Sequence, residues 1–503
     1  MTDSSNDLQF SSLLSPDAVA TERLSRRAAL GRLVAGFSVS SCLLSSVATA
    51  AEPATRKTGL LARSAKLAQL NTQNKIVLEL EGKLHIQQPD PKQEQQVREA
   101  EVKATSTLEY FEKIAFQDAG VAGAARRYVE AQVQNWISGS AGSYKLRPEC
   151  SETRMLLHDG YWQQYCEQEP LKVREVELLQ SPINSSALEL LLPTKPATPN
   201  AKWQISAEDA TAIFNLDAVH RSTIGATIAK VEKGKAIINL SGELDATANS
   251  VPTTLKINGN CHASLGSQGA FISWFSCVIE EDREISEKEP GFSIQARIRL
   301  LRAETDNNFR VTADQLRDLA AKTDDSRWLV RLDSTHGKYT MLVDRNWKMY
   351  LDGGEESILR FVKNNDVIAQ CNIMRLTNLS EGSQLTLEGL NADIKKSLGE
   401  GFDSFLESSE RTTSTNLRLM RSVAVGQSED VPVQWIYAHL SNDSGQRVAM
   451  VYTMGASVAE QFAAADEQMI TSFELLPQVE SKEAAAEPKS APQLTSNPQA
   501  TQR

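Results

Sequence analysis

Cysteine offers the most chemistry in this chain. Cys150, Cys166, Cys261, Cys277 and Cys371 lie beyond the N-terminal region, and the first four form two pairs, each sixteen residues apart. Each pair brackets a turn: His158-Asp159-Gly160 in one, Gly266 to Gly269 in the other. Thiols so placed form disulfides, stay buried as free thiols, or bind a metal. A metal is disfavoured, because no spacing is C-x2-C and only Cys261 has an adjacent histidine, His262. Disulfides are the leading expectation, and four cysteines allow three pairings. A hairpin across Asp159-Gly160 places Cys150 and Cys166 near each other but not directly opposite, so a link there needs a bulge or a longer loop.

The other reactive residues do not assemble into a known pattern. His85, His158, His220, His262, His336 and His439 share no ligand spacing, and neither H-E-x-x-H nor an EF-hand loop occurs. Gly139-Ser140-Ala141-Gly142 is too short for a nucleophile elbow. Lys233-Gly234-Lys235 reads as a hairpin tip and Gly399-Glu400-Gly401 as part of a helix. His439 shares one strand face with Trp435 and Tyr437, yet no carboxylate or nucleophile is near it in sequence, so it reads as a sheet-face histidine. Alternation sends neighbours in Glu280-Glu281-Asp282-Arg283 to opposite faces, as in a solvated strand end. His158-Asp159-Gly160 with Tyr161-Trp162 reads as a hairpin closed by a hydrophobic pair, or as exposed aromatics available for contacts. No catalytic, cofactor or metal residue is assigned, and no cofactor is expected.

The N-terminus carries an address. Ser25-Arg26-Arg27-Ala28-Ala29-Leu30 precedes the weakly apolar Leu33–Val47. It resembles a twin-arginine export signal, with Ala29 where a Phe is usual. Ala48-Thr49-Ala50 fits an A-x-A cleavage site and would free Ala51; Val39-Ser40-Ser41-Cys42 resembles a lipobox and would anchor the chain through Cys42. The expected place of work is periplasmic or extracellular. A net charge of −11 over 503 residues argues against a nucleic-acid partner. Past residue 50 no run of 18 apolar residues occurs, so no membrane-crossing helix is expected in the mature chain.

The elements divide in two. Ile76, Leu78, Leu80, Leu84 and Ile86 alternate with polar residues, as do Ala236–Ala246 and Phe292–Leu300, giving long half-buried strands. Gly82, on the inner face of the first, permits a bend. Ser185–Leu192 and Ala207–Asn215 read as short helical insertions, and Thr312–Lys322 as a bridging helix. After Ser326, Leu387, Leu390, Ile394, Leu398, Phe402 and Phe405 predict one long amphipathic helix, and Ser457 with Glu460 a capping box opening a second. Val431–Leu440 and Arg447–Thr453 flank the turn Asn442-Asp443-Ser444-Gly445; the first is apolar on both sides, so both faces of its sheet should be covered. The expected fold is α+β: an antiparallel β-rich curved sheet or partly open barrel, then an α/β/α sandwich. The boundaries are 1–50 export signal, 51–74 tether, 75–302 β-rich domain, 303–325 linker helix, 326–477 second domain and 478–503 disordered tail.

Two resemblances follow. The strand order of 326–477, the long helix after Cys371-Asn372-Ile373, the Trp435-Ile436-Tyr437 strand and the closing Ser472-Phe473-Glu474-Leu475 resemble PsbP-like proteins. The resemblance implies an α/β/α sandwich with a non-enzymatic assembly or binding role. Residues 75–302 resemble a group of secreted bacterial proteins through Arg126-Arg127-Tyr128, Arg174-Glu175-Val176-Glu177-Leu178, Leu191-Leu192-Pro193 before Trp203, Phe214-Asn215-Leu216-Asp217 and Pro290-Gly291-Phe292. Their general shape is similar to the open barrels of LolA-type lipoprotein carriers, an analogy of architecture. The leading expectation is a non-catalytic envelope protein binding an apolar ligand or a partner protein. The alternatives are a hydrolase with a site of scattered residues and an assembly factor acting through the second domain. Oligomeric state is left open.

Overall fold

The computed structural model describes residues 61–63, 69–88, 96–117, 120–248, 251–266, 269–285, 290–307, 309–322, 324–363, 366–380 and 383–476. Arg26, Arg27, Cys42, Ala50 and the expected tail fall outside them.

The first sheet has thirteen strands. They are β1 (Gln69–Gln88), β2 (Gln96–Gln117), β3 (Gly120–Ile137), β4 (Ser140–Lys145), β5 (Glu152–His158) and β6 (Tyr161–Cys166). Then come β7 (Lys202–Gln204), β8 (Ala218–Ser222), β9 (Gly225–Glu232), β10 (Lys235–Ala248), β11 (Val251–Gly266), β12 (Gly269–Arg283) and β13 (Gly291–Glu304). The order is β6-β5-β3-β2-β1-β13-β12-β11-β10-β9-β7, with β4 paired to β3 and β8 to β10. All its pairs are antiparallel. The sheet is open, with β6 and β7 at opposite ends.

Alternation sets its two faces. Ile76, Leu78, Leu80 and Leu84 of β1 are buried with Ile238, Leu240 and Leu244 of β10 and Ala296, Ile298 and Leu300 of β13. The opposite face carries a charge ladder: Lys75–Glu109, Lys83–Glu99 and Arg297–Glu81, with Arg299 on Glu79. A lipid-facing barrel needs an apolar outer band; this surface is built for water. Strand β1 also reaches into the expected tether. Thr72 and Asn74 are fully buried on its inner face, because they find polar partners there rather than solvent.

Gly82 of β1 pairs with Ile294 of β13. A Cβ there would collide with the Ser293 carbonyl and the Ile294 backbone. Gly82→Ala should therefore cost about 1–3 kcal/mol, the usual range for overpacking, read as a lowered urea midpoint with unchanged slope.

Short helical segments cover the apolar face: α1 (Val173–Leu179), the 3-10 turns of Ser185–Leu191, and α2 (Ala207–Ile213). Ser206 caps α2, its hydroxyl accepting from the Asp209 N–H at 3.0 Å. Leu178, Leu179, Leu188, Leu191, Ala210 and Ile213 join one core with the strands. The expected helix at Ser185–Leu192 is thus a 3-10 segment. Helix α3 (Ala313–Lys322) does more than bridge: Val311, Ala313 and Leu316 cover Ala115 and Ala125 on the outer face of β2 and β3.

The C-terminal part has two sheets. Strands β14 (Val330–Ser334), β15 (Tyr339–Val343) and β23 (Glu474–Leu475) form the smaller. The larger contains β16 (Trp347–Asp352), β17 (Glu356–Lys363), β18 (Asp366–Leu376), β19 (Phe402–Thr412), β20 (Arg418–Ser428), β21 (Val431–Ser441) and β22 (Arg447–Gly455), in the order β16-β17-β18-β22-β21-β20-β19. Helix α4 (Leu387–Leu398) packs Leu390 and Ile394 on Trp435 and Tyr437. Ile436, Ala438 and Leu440 point the other way, into a core with Phe462, Met469 and Ile470.

Two helix expectations need correction. Helix α4 stops at Leu398, where Gly399 takes φ 56°, and Phe402 and Phe405 belong to β19. Their helical spacing continues because β19 packs both rings against the Leu390 and Ile394 cluster of α4. The closing helix is broken into α5 (Ala459–Phe462) and α6 (Ala465–Ser472) at Ala463, φ 50°, and the Ser457 side chain makes no cap bond.

The two parts meet at the end of the first sheet. Trp328 stacks on His158 at 4.5 Å and meets Tyr165 edge-on at 5.1 Å. Lys172 pairs with Asp333 at 2.7 Å, and Arg331 N–H donates to the Leu171 carbonyl at 2.8 Å.

Candidate functional site

The densest polar arrangement lies where the helical plug meets the sheet, at positions that motif reading left unassigned. In β2, Leu108, Tyr110, Glu112 and Ile114 share the inward register, so Glu112 enters an apolar interior as a carboxylate. Its exposure is 0%. Such a group must be hydrogen-bonded and paired or it would not stay charged. Arg126 of β3 lies directly opposite in register and donates Nε to Oε1 at 2.7 Å. The plug supplies the rest. Ser185 Oγ donates at 2.9 Å, Ser186 Oγ at 2.7 Å, and Asn74 Nδ2 closes the set at 3.4 Å.

Tyr110 donates its hydroxyl to Ser185 Oγ at 2.7 Å, and the Arg126 guanidinium lies 5.0 Å from the Tyr110 ring centre. Arg126 also reaches Ser185 Oγ at 3.1 Å and Asn184 Oδ1 at 3.4 Å. Burial works against the Arg126 charge, but its bond to Glu112 holds the guanidinium above its ordinary range. Burial pushes the Tyr110 hydroxyl up, so it stays a donor.

A second charged pair ties the other end of the same segment. Glu189 Oε1 accepts from Arg302 Nη1 of β13 at 2.7 Å and from the Ile272 N–H at 3.4 Å. Arg302 is buried, and its guanidinium lies 4.8 Å from the Phe271 ring centre. Removing one partner of such a pair leaves an uncompensated buried charge and costs about 3–5 kcal/mol. Two of them fasten Ser185–Leu191 to the sheet, so this segment is a fixed part of the fold.

Beside it a groove of about 370 Å³ is open, between the segment after Leu190 and edge strand β7. Leu192, Pro193, Pro196, Ala201, Trp203 and Ile205 give its apolar surface, and Thr194, Thr198 and Gln204 with the charged residues make the lining as much polar as apolar. Arg63 forms part of the wall; it donates to the Leu190 carbonyl at 2.7 Å and pairs with Asp209 at 3.0 Å. Trp203 is held by its indole N–H on the Leu191 carbonyl at 3.0 Å. Lys195 and Lys202 also line it, so Arg63 and the two lysines face a single carboxylate, Asp209. The volume falls within the range of small-ligand clefts, about 300–1,000 Å³.

No protein-family model matches the chain, and no curated protein matches it. Among solved structures it is similar to lipovitellin, described for its lipid–protein interactions, at 9% identity and TM-score 0.28, over 49% of this chain and 27% of that one. A Bacteroides thetaiotaomicron protein aligns at 12% identity and TM-score 0.21, over 29% and 48%. A BenF-like porin from Pseudomonas fluorescens aligns at 6% identity and TM-score 0.10, over 76% and 97%. The chain spans about a quarter of the first and half of the second. Scores this low carry no argument about fold or function.

The residues singled out by sequence are dispersed. All five described cysteines are buried free thiols. His439 is buried, and neither imidazole nitrogen has a hydrogen-bond partner among the described residues. In Glu280-Glu281-Asp282-Arg283 the alternation holds, but the inward pair is not solvated. Arg283 is buried, reaches Glu281 at 2.6 Å, and lies 4.5 Å from the Phe292 ring centre. His158 meets Trp328, and Trp162 packs beside Leu70 and Met155. No group of three or more His, Cys, Asp or Glu suited to a metal occurs among the described residues.

Proposed function

We propose that this chain is an exported, non-catalytic binding protein of the cell envelope, and that it takes an apolar ligand segment in the groove beside β7. One observation carries this reading: an open cleft of ligand size lies beside edge strand β7 of a sheet whose interior face is already covered. The Ser-Arg-Arg sequence before an apolar stretch supports export, and the polar outer face of the sheet supports an aqueous compartment. The scattered-site hydrolase reading gains nothing from the buried cage: Ser185 and Ser186 contact Glu112 without a histidine, and each is at most 1% exposed. The PsbP-like reading of 326–477 is supported by a seven-stranded sheet packed on both faces, which fits a binding or assembly role for the second part.

The three cations against one carboxylate favour a ligand with an acidic end, such as a long-chain fatty acid. Titration of the full chain with a fluorescent fatty acid should saturate at one equivalent, and palmitate should displace the probe. Ala201→Trp, which fills the groove, should weaken binding at least tenfold while leaving the melting temperature within a few degrees. Absence of saturable binding, or binding untouched by Ala201→Trp, would overturn the proposal.

A further inference from the structure

We infer that Cys150 and Cys166 are the disulfide-forming pair of this chain, oxidised by thiol–disulfide exchange, while Cys261, Cys277 and Cys371 remain thiols. The hairpin of β5 and β6 pairs Thr153 with Cys166, so Cys150 would lie three residues away along an extended strand. A 3-10 turn, Pro148–Cys150, folds the chain back before β5 begins. The turn therefore brings the two cysteines side by side. Each also faces the other's neighbouring loop: Cys166 Sγ lies 3.5 Å from the Glu149 carbonyl and Cys150 Sγ 3.9 Å from the Glu169 carbonyl.

The other early pair is not arranged this way. Gly259 faces Cys277 and Cys261 faces Phe275, which makes the two cysteines diagonal neighbours on adjacent strands. Diagonal positions have Cα atoms about 7–8 Å apart, too far to bridge without moving backbone. Burial pushes both of those thiols up, which makes them poor nucleophiles.

Cys166 is the attacking member. Cys150 is fully buried, so Cys166 is the thiol an outside disulfide can reach, and the Arg147 guanidinium beside the pair favours a thiolate there. Cys166 ends an edge strand beside an exposed turn, Glu167 to Glu169, and retains slight exposure. The Cys166 thiolate attacks one sulfur of a small-molecule or protein disulfide and expels the other as a thiolate. Cys150, with Arg147 Nη2 at 3.4 Å from its sulfur, then attacks Cys166 in the mixed disulfide, losing its proton and releasing the second thiol. Two electrons and two protons pass to the oxidant, which leaves as two thiols. Arg147 also binds Glu175 through two hydrogen bonds, at 2.7 and 2.9 Å, and so joins the pair to α1 at the junction with the second part.

The test is mass mapping of the wild-type chain after equilibration with oxidised glutathione, unfolding and alkylation. The expected result is one peptide pair joined through Cys150 and Cys166, with alkyl groups on Cys261, Cys277 and Cys371. Cys150→Ser should trap glutathione on Cys166, and Cys166→Ser should leave Cys150 free of it. The oxidised wild type should melt several degrees above its dithiothreitol-reduced form. Alkylation of both Cys150 and Cys166 after oxidation, or a link through Cys261 or Cys277, would overturn the inference without needing any variant to fold.

Discussion

Glu112→Ala should cost the fold about 3–5 kcal/mol, a fall in melting temperature on the order of 10 °C. The variant strips the acceptor from Ser185, Ser186 and Asn74 together and leaves the Arg126 guanidinium buried without its countercharge. Glu112→Gln keeps an acceptor oxygen for the hydroxyls but removes the charge, so it should fall between wild type and Ala. Replacing both members, as Glu112→Leu with Arg126→Met, should recover much of the loss, because an apolar pair of similar volume has no desolvation to offset. Urea denaturation of wild type, Glu112→Leu, Arg126→Met and the double variant gives the coupling energy directly. A Glu112→Ala loss under 1 kcal/mol would show that the cage does not hold the plug.

The β-rich class was legible because β1, β10 and β13 obey strict alternation with apolar inward residues. Strands β2 and β3 were not. Arg98-Glu99-Ala100-Glu101-Val102-Lys103-Ala104 uses residues with good helix propensity, and only pairing with β1 along its whole length settles the matter. The inward positions Thr72, Asn74, Glu112 and Arg126 break the apolar pattern, so the network that fixes the plug looks like loop polarity in sequence. Glu112 did leave a signal, a carboxylate in register with Leu108 and Tyr110, but its serine partners stand 73 and 74 residues away. Likewise Phe402 and Phe405 continue the spacing of α4, and a local pattern cannot tell a continued helix from a strand that folds back beneath it.

Interior placement also decides what the singled-out histidine does. His439 sits between β20 and β22 among Tyr437, Met420 and Ala449, and burial first, then the Arg447 and Arg418 charges, lowers its pKa from 6.5 to about 4. Folding thus favours the neutral ring, while the unfolded chain binds a proton near pH 6.5. The sign follows: the contribution to stability is fully present above pH 6.5 and is lost as pH falls toward 4. The size is about 3 kcal/mol across that window, because each tenfold loss of proton affinity is worth about 1.4 kcal/mol. His439→Leu should remove this slope and, by deleting two buried nitrogens without partners, should match or exceed wild-type stability at pH 7. Asp466, raised by burial although it pairs with Arg421, acts with the opposite sign and is common to both chains, so their difference isolates the histidine. Denaturant melts of the two proteins at pH 7, 5.5 and 4 should converge on a gap of about 3 kcal/mol in favour of the variant at the lowest pH. Parallel pH profiles would mean that the imidazole keeps its ordinary affinity for protons inside the sheet, through a partner that forms only when it is charged.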